Sequence, residues 1–210
     1  MFIEQAFSNP PFFLSWMLII VFSICVHEYA HAQAAWWLGD DTAARNGHLS
    51  LNPLVQMGWI SLVMLALVGI AWGAVPVNPS RMRGRSGPAL VAFAGPASNL
   101  ALALVFVVLA AVADRIGVEA YVGNFLFLAS MANAVLFLFN MIPVPMFDGW
   151  TVLAHFVPPM RRINLAEAMQ YSWLLIAVIW MSGAIDQLWA VGAGFSRGLH
   201  GLLLGMLGGA

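Results

Sequence analysis

His27, Glu28 and His31 stand together in "CVHEYAHAQA", residues Cys25 to Ala34. Two histidines four apart on a helix share one face, one turn apart. Both imidazoles can then reach one metal ion, and a glutamate beside the first can reach a water on that ion. This is the H-E-x-x-H pattern of zinc metalloproteases. A catalytic zinc takes three protein ligands and keeps an open position for water. It draws the pKa of that water towards about 7 and polarises a scissile carbonyl. In this chemistry Glu28 takes the water's proton and later gives it to the leaving amine. The competing reading is a pair of buried helix histidines satisfied by their neighbours. The surroundings favour the first, because ionisable groups inside an apolar span are costly and mark functional sites by default.

A third ligand is then required. Glu4, Asp40, Asp41, Asp114, Glu119 and Glu167 fall in predicted loops or at span ends, and Asp186 lies near a span terminus. Asp148 differs. It follows a predicted span in "NMIPVPMFDG", where Pro143 and Pro145 break the helix and Gly149 permits a tight turn. Broken backbone at membrane depth is tolerated where it is buried in protein or lines a wet cavity. Asp148 could equally cap a helix starting near Gly149, and position alone leaves both readings open.

These residues need elements to hold them. Of 210 residues, 62% are hydrophobic and only 8% charged, against roughly 25% charged in soluble domains. The expected fold is an all-α polytopic membrane protein of about five to six transmembrane helices, at about 20 residues per span. One long helix is expected over Phe12–Leu38, with the H-E-x-x-H pattern in its C-terminal half. Thr42–Pro53, with its Asn-Gly pair and alternating Leu49 and Leu51, reads as a turn and a short membrane-associated β segment. Gly58–Val75 is apolar but carries Gly58, Gly69 and Gly73. Spans are expected at Ala89–Ala113, Tyr121–Met141 and Ala168–Trp189, followed by a glycine-rich tail forming at most a partial or interfacial helix. The N-terminal stretch lacks the basic region of a signal peptide, so the first helix is expected to remain as an anchor. The only cysteine, Cys25, is off the His27/His31 face and is assigned to packing.

Three motifs in this order, "HEYAH", "GPASN" (Gly95 to Asn99) and "NMIPVPMFDG" (Asn140 to Gly149), resemble the site-2 protease family of intramembrane zinc proteases. The likeness runs from about Pro11 to Val157. It implies one zinc ion held by His27, His31 and Asp148, with Glu28 as the catalytic acid and base. It also implies that Asn140 lies near the site, contacting substrate backbone or an oxyanion, with Asn99 in the matched G-P-x-x-N pattern. "GHLSLNP", with Leu49 and Leu51, is similar to the family's β segment, which can pair with an unwound substrate. The resemblance is to the minimal form, without a PDZ or CBS domain. One transmembrane protease domain over residues 1–210 is expected, with a core of about 11–157 and a C-terminal helix and tail over 168–210.

A common zinc ion would fix the topology. Asp148 must return to the side on which the first helix ends. That happens if Gly58–Val75 is re-entrant and fails if it crosses. That side then holds Arg45, Arg81, Arg83, Arg85, Arg161 and Arg162, and the other holds Arg115 and, if the last helix crosses, Arg197. The positive-inside rule makes the first side cytoplasmic, in what is expected to be a prokaryotic cell membrane.

The expected activity is therefore endoproteolysis of transmembrane segments of other membrane proteins, in regulated intramembrane proteolysis. The expected partners are such a substrate and the lipid bilayer. Three arginines do not make a nucleic-acid site, and no oligomeric state is legible. The rival is a metal or proton transporter, which would spread its ligands along a path and show repeated halves; the sequence has one compact cluster and no repeat. His48 reads as a solvated loop residue, His155 as structural, His200 as interfacial, and Asn133 as an interhelix hydrogen-bonding group.

Overall fold

The computed structural model describes residues 1–208, and for residues 161, 162 and 165 the backbone alone. The side chains of Arg161 and Arg162, counted above for orientation, lie outside the described residues. Among the described residues all regular structure is helical. The longer helices are α1 (Pro10–Trp37), α2 (Gly58–Val68), α3 (Gly87–Arg115), α4 (Ala120–Asn140), α5 (Asp148–Phe156), α6 (Leu165–Met181) and α7 (Ala184–Gly208).

Three of these, α1, α3 and α4, are long and apolar enough to cross a membrane. A fourth crossing is reached only if α6 and α7, bent by 68° at their junction, count as one broken span. The expectation of five to six spans is thereby lowered. Ala168–Trp189 is not one helix, because the chain turns at Ser182 and Gly183, the latter at φ +75°. That left-handed backbone suits glycine and ends α6. The glycine-rich tail, expected to form at most a partial helix, continues a helix of 25 residues that begins at Ala184.

The chain forms two compact units, Met1–Ser98 and Asn99–Ala210. In the first, Asn9 caps α1 by accepting from Phe12 N, and prolines occupy its first turn, where a missing N–H costs nothing. The 11 residues of α2 measure about 16 Å, half of a hydrocarbon core of about 30 Å. Gly69, at φ +85°, closes α2, and the chain doubles back. Ser61 Oγ donates to Trp72 O at 2.7 Å and accepts from Trp72 N at 2.9 Å. Ala74 N donates to Gln56 O at 3.1 Å, so the return leg ends beside the residues that precede α2. Gly58–Val75 is thus a hairpin of one short helix and one irregular, outstretched leg.

The expected β segment is not formed among the described residues. Thr42–Arg45 and Pro53–Gln56 are single helical turns, and Gly47, at φ +79°, follows the first. Between them the buried Gln56 takes the carbonyls a partner strand would need. Its Nε2 donates to His48 O at 2.8 Å and Ser50 O at 2.5 Å, and its Oε1 lies 3.2 Å from His48 Nδ1.

In the second unit α4 packs along α7, with Gly192 allowing close approach to Val135. Small and polar residues make such contacts between membrane helices. Ser130 Oγ lies 2.9 Å from both Ala103 O and Ser196 Oγ. Asn99 Nδ2 donates to Asn133 Oδ1 at 3.0 Å, tying α3 to α4.

Candidate metal centre

His27, Glu28 and His31 are buried on α1, at 7%, 7% and 8% exposure. The i, i+4 spacing does what helical geometry requires, bringing the two Nε2 atoms to 3.0 Å with the rings edge to face at 84°. His31 Nδ1 lies 2.7 Å from the carbonyl oxygen of Val91 on α3. A carbonyl only accepts, so Nδ1 carries a proton, and in the neutral tautomer the lone pair lies on Nε2, facing His27 Nε2. Fixing the tautomer through the other ring nitrogen is how metal-binding histidines are oriented.

Two glycines shape the space around these groups. A Cβ built on Gly95 would fall 2.6 Å from His27 Nε2 and closer still to His31 Nε2. The notch left by the missing side chain therefore opens on both nitrogens at once. Zinc–nitrogen bonds of about 2.0–2.1 Å span a nitrogen pair 3.0 Å apart, so the cradle and its donors fit the ion. Gly73, on the return leg of the hairpin, lies against Glu28, where a Cβ would come within 2.5 Å of Cγ and 2.6 Å of Cδ. The hairpin thus walls the carboxylate that the pattern marks as acid and base.

The return leg has a further property. Trp72 and Ala74 use backbone N–H groups inward, to Ser61 and Gln56. Gly73 and Val75, between and beyond them, make no backbone hydrogen bond among the described residues. The leg is an open edge beside Glu28.

In the second unit Asp148 is half-buried and is the first residue of α5. The N-cap is Phe147, so Asp148 is not the capping residue; it lies in the first turn, where the helix dipole favours an anion. Val144 N donates to Ile142 O and Phe147 N to Val144 O, both at 2.8 Å, so Pro143 and Pro145 fold into two tight turns. Gly149 permits this, since a Cβ there would press into Met141 O and come within 2.9 Å of Ile142 O.

The remaining sequence candidates are placed as follows. Asn140 ends α4, half-buried, its Nδ2 donating to Leu136 O at 3.0 Å. Asn99 is fully buried and bonded to Asn133, and Asn133 is the interhelix group the sequence suggested. Leu49 is half-buried; Leu51 is exposed and lines an apolar cleft of about 400 Å³ with Met17, Leu18, Val21, Phe22 and Cys25. His155 packs on Phe156. His200 Nε2 lies 3.1 Å from Asp114 Oδ2. Sequence reasoning used Gly73 only as one of three glycines that suggested a bend, and gave no role to Gln56 or to the Val91 carbonyl. Gly95 stood inside a matched motif without a stated task. Its only signal was a glycine placed before proline inside an apolar span.

The chain is 32% identical over 174 residues to "Putative zinc metalloprotease YwhC" of Bacillus subtilis, covering 79% of this chain and 80% of the relative. It is 31% identical over 173 residues to "Putative zinc metalloprotease Rip2" of Mycolicibacterium smegmatis, covering 79% of this chain and 66% of that protein. The Rip2 of Mycobacterium tuberculosis strain H37Rv matches at 31% over 173 residues, 78% of this chain and 65% of the relative. No family-wide sequence profile and no solved structure matches the chain.

Proposed function

The chain belongs to the site-2 protease family of zinc metalloproteases, and we propose that it is a zinc-dependent endopeptidase that cuts transmembrane segments of other membrane proteins. The observation that carries this reading is the pair of facing Nε2 atoms, one tautomer fixed by Val91, opening on the Gly95 notch one residue from Glu28. His27 and His31 supply two ligands, and Asp148, on the matched N-x-x-P-x-x-x-x-D-G pattern, supplies the third. A bound zinc ion would acidify a water and polarise the scissile carbonyl. Glu28 accepts the proton from the attacking water and returns it to the leaving amine nitrogen.

A substrate helix hides its carbonyls in its own hydrogen bonds, so it must unwind before attack. The open backbone of Gly73 and Val75 offers the unwound stretch a partner by strand addition. This moves the pairing role from the Leu49–Leu51 stretch to the return leg, while Leu51 stays as part of the apolar cleft for substrate side chains. Asn140 contacts substrate backbone or the developing oxyanion. Asn99, its amide spent on Asn133, has no part in this reading. The chain works as one protease domain in a bacterial cell membrane, the site opening on the cytoplasmic side where most arginines gather. Regulated intramembrane proteolysis is the setting. A transporter is not favoured, since the relatives are named as metalloproteases.

The test uses purified protein in detergent, with zinc content and cleavage of a transmembrane substrate measured together. Glu28→Gln keeps its zinc and loses at least about 100-fold in rate, the lower end of what a general acid and base supplies. Asp148→Ala loses zinc. Full cleavage by Glu28→Gln overturns the reading.

A further inference from the structure

Asp40 is a fully buried carboxylate just past the end of α1, used by neither the ligand set nor the acid and base. Its Oδ1 accepts from Thr42 Oγ1 at 2.5 Å and Thr42 N at 3.0 Å, and its Oδ2 accepts from Asn78 N at 2.5 Å. Burial alone would raise its pKa. The hydrogen bonds from Thr42 and Asn78, with the nearby Arg81, outweigh that and hold the carboxyl below the usual range. Two further ties join the same pieces of chain. Arg83 N donates to Leu38 O at 2.6 Å, and Arg81 Nη1 meets Asp41 Oδ1 at 2.6 Å.

Asn78 lies three residues past Val75, on the continuation of the return leg whose Gly73 rests on Glu28. From Glu28 to Trp37, the last residue of α1, is about 14 Å of helix axis. The five steps from Gly73 to Asn78 reach at most about 18 Å when extended. A leg drawn out between these two points has little slack, so its far anchor governs how it sits on Glu28.

We propose that Asp40 is a positioning residue for peptide cleavage, clamping the far end of the return leg so that the leg's open edge stays in register against Glu28. This rests on the protease reading above and adds to it a residue outside the matched motifs. In Asp40→Asn the new Nδ2 replaces one carboxylate oxygen; whichever oxygen it replaces, an N–H of Thr42 or Asn78 then meets a donor in place of an acceptor. Removing a partner from a buried polar group carries the full cost of leaving that group unsatisfied.

The experiment compares wild type, Asp40→Asn, Thr42→Val and Thr42→Ser as full chains in detergent. It reads zinc content, steady-state kinetics and hydrogen–deuterium exchange of the 70–82 peptide. Asp40→Asn is expected to retain zinc, to exchange at least tenfold faster in that peptide with α1 unchanged, and to lose at least tenfold in kcat with KM within about twofold. Thr42→Val follows the same direction more weakly, and Thr42→Ser, which keeps the hydroxyl, restores both readouts. Faster exchange with full kcat overturns the positioning role and leaves the protease reading standing. Unchanged exchange overturns the clamp itself, whether or not the chain proves to be a protease. If Asp40→Asn fails to fold, the contrast between Thr42→Val and Thr42→Ser decides alone: coupled loss and rescue supports the clamp, and no difference overturns it.

Discussion

A single backbone carbonyl sets the chemistry of His31. Val91 O accepts a hydrogen bond from the Nδ1–H of His31, which leaves the lone pair of the neutral ring at Nε2. The same helix supplies Gly95, whose missing side chain leaves the space between the two imidazoles. These two facts give opposite signs to one substitution. Alanine is the better helix former by about 1 kcal/mol, so Gly95→Ala favours α3 as a helix. Its methyl group nevertheless occupies the notch both nitrogens face. The expected result is a protein with full helical content by circular dichroism and at least tenfold less zinc at a fixed free-zinc concentration. Unreduced zinc in Gly95→Ala would show that the notch is not the ion's seat.

At the scale of elements, the proposed membrane reading makes the hairpin of α2 and its return leg the device that sets which side residues 76–86 occupy. Its two limbs are joined by Ser61 to Trp72 and by Ala74 to Gln56, so its ends lie together. Single cysteines at positions 52 and 83, in a Cys25→Ser background, are therefore expected to react with a membrane-impermeant maleimide from the same side of sealed vesicles. Labelling from opposite sides would refute the re-entrant fold. This element was half legible in the sequence. Three glycines in an apolar run, and the need for Asp148 to return to the side of the histidines, pointed to a bend. The seat of Gly73 on Glu28 was not legible, because a glycine announces an absence of side chain and not what fills the space. The β segment was misread for a related reason. Alternation at Leu49 and Leu51 suits a strand, but strand formation needs a neighbour, and the Gln56 side chain satisfies those carbonyls instead. The H-E-x-x-H face was legible because helical spacing alone brings the histidines together. The break between α6 and α7 was missed because one Ser-Gly pair, Ser182 and Gly183, is a weak signal inside a long apolar stretch, and Asp186 was read as marking the end of that stretch.

At the scale of the molecule, a chain with so few charges has few groups through which pH can act. Asp40 is one that does, outside the spans. Its folded pKa lies below the unfolded value near 3.8, so it contributes stability above that value and loses it as pH falls through the folded pKa. Thermal unfolding in detergent followed from pH 6 towards pH 3 is expected to show a falling acid limb that Asp40→Asn flattens. An equally steep limb in Asp40→Asn would assign the acid sensitivity elsewhere.

The shortness of α2 reaches beyond the protein into its solvent. Set in a bilayer as the proposed function requires, a helix of about 16 Å that turns back at Gly69 would reach through little more than one leaflet. Lipid tails opposite its tip must tilt or thin to meet it, at fractions of a kcal/mol per ångström of mismatch. That local cost would rise with acyl chain length, whereas α1 and α3, of 28 and 29 residues, measure about 42 Å and exceed a core of about 30 Å. The short hairpin and the long spans thus ask opposite things of the surrounding lipid.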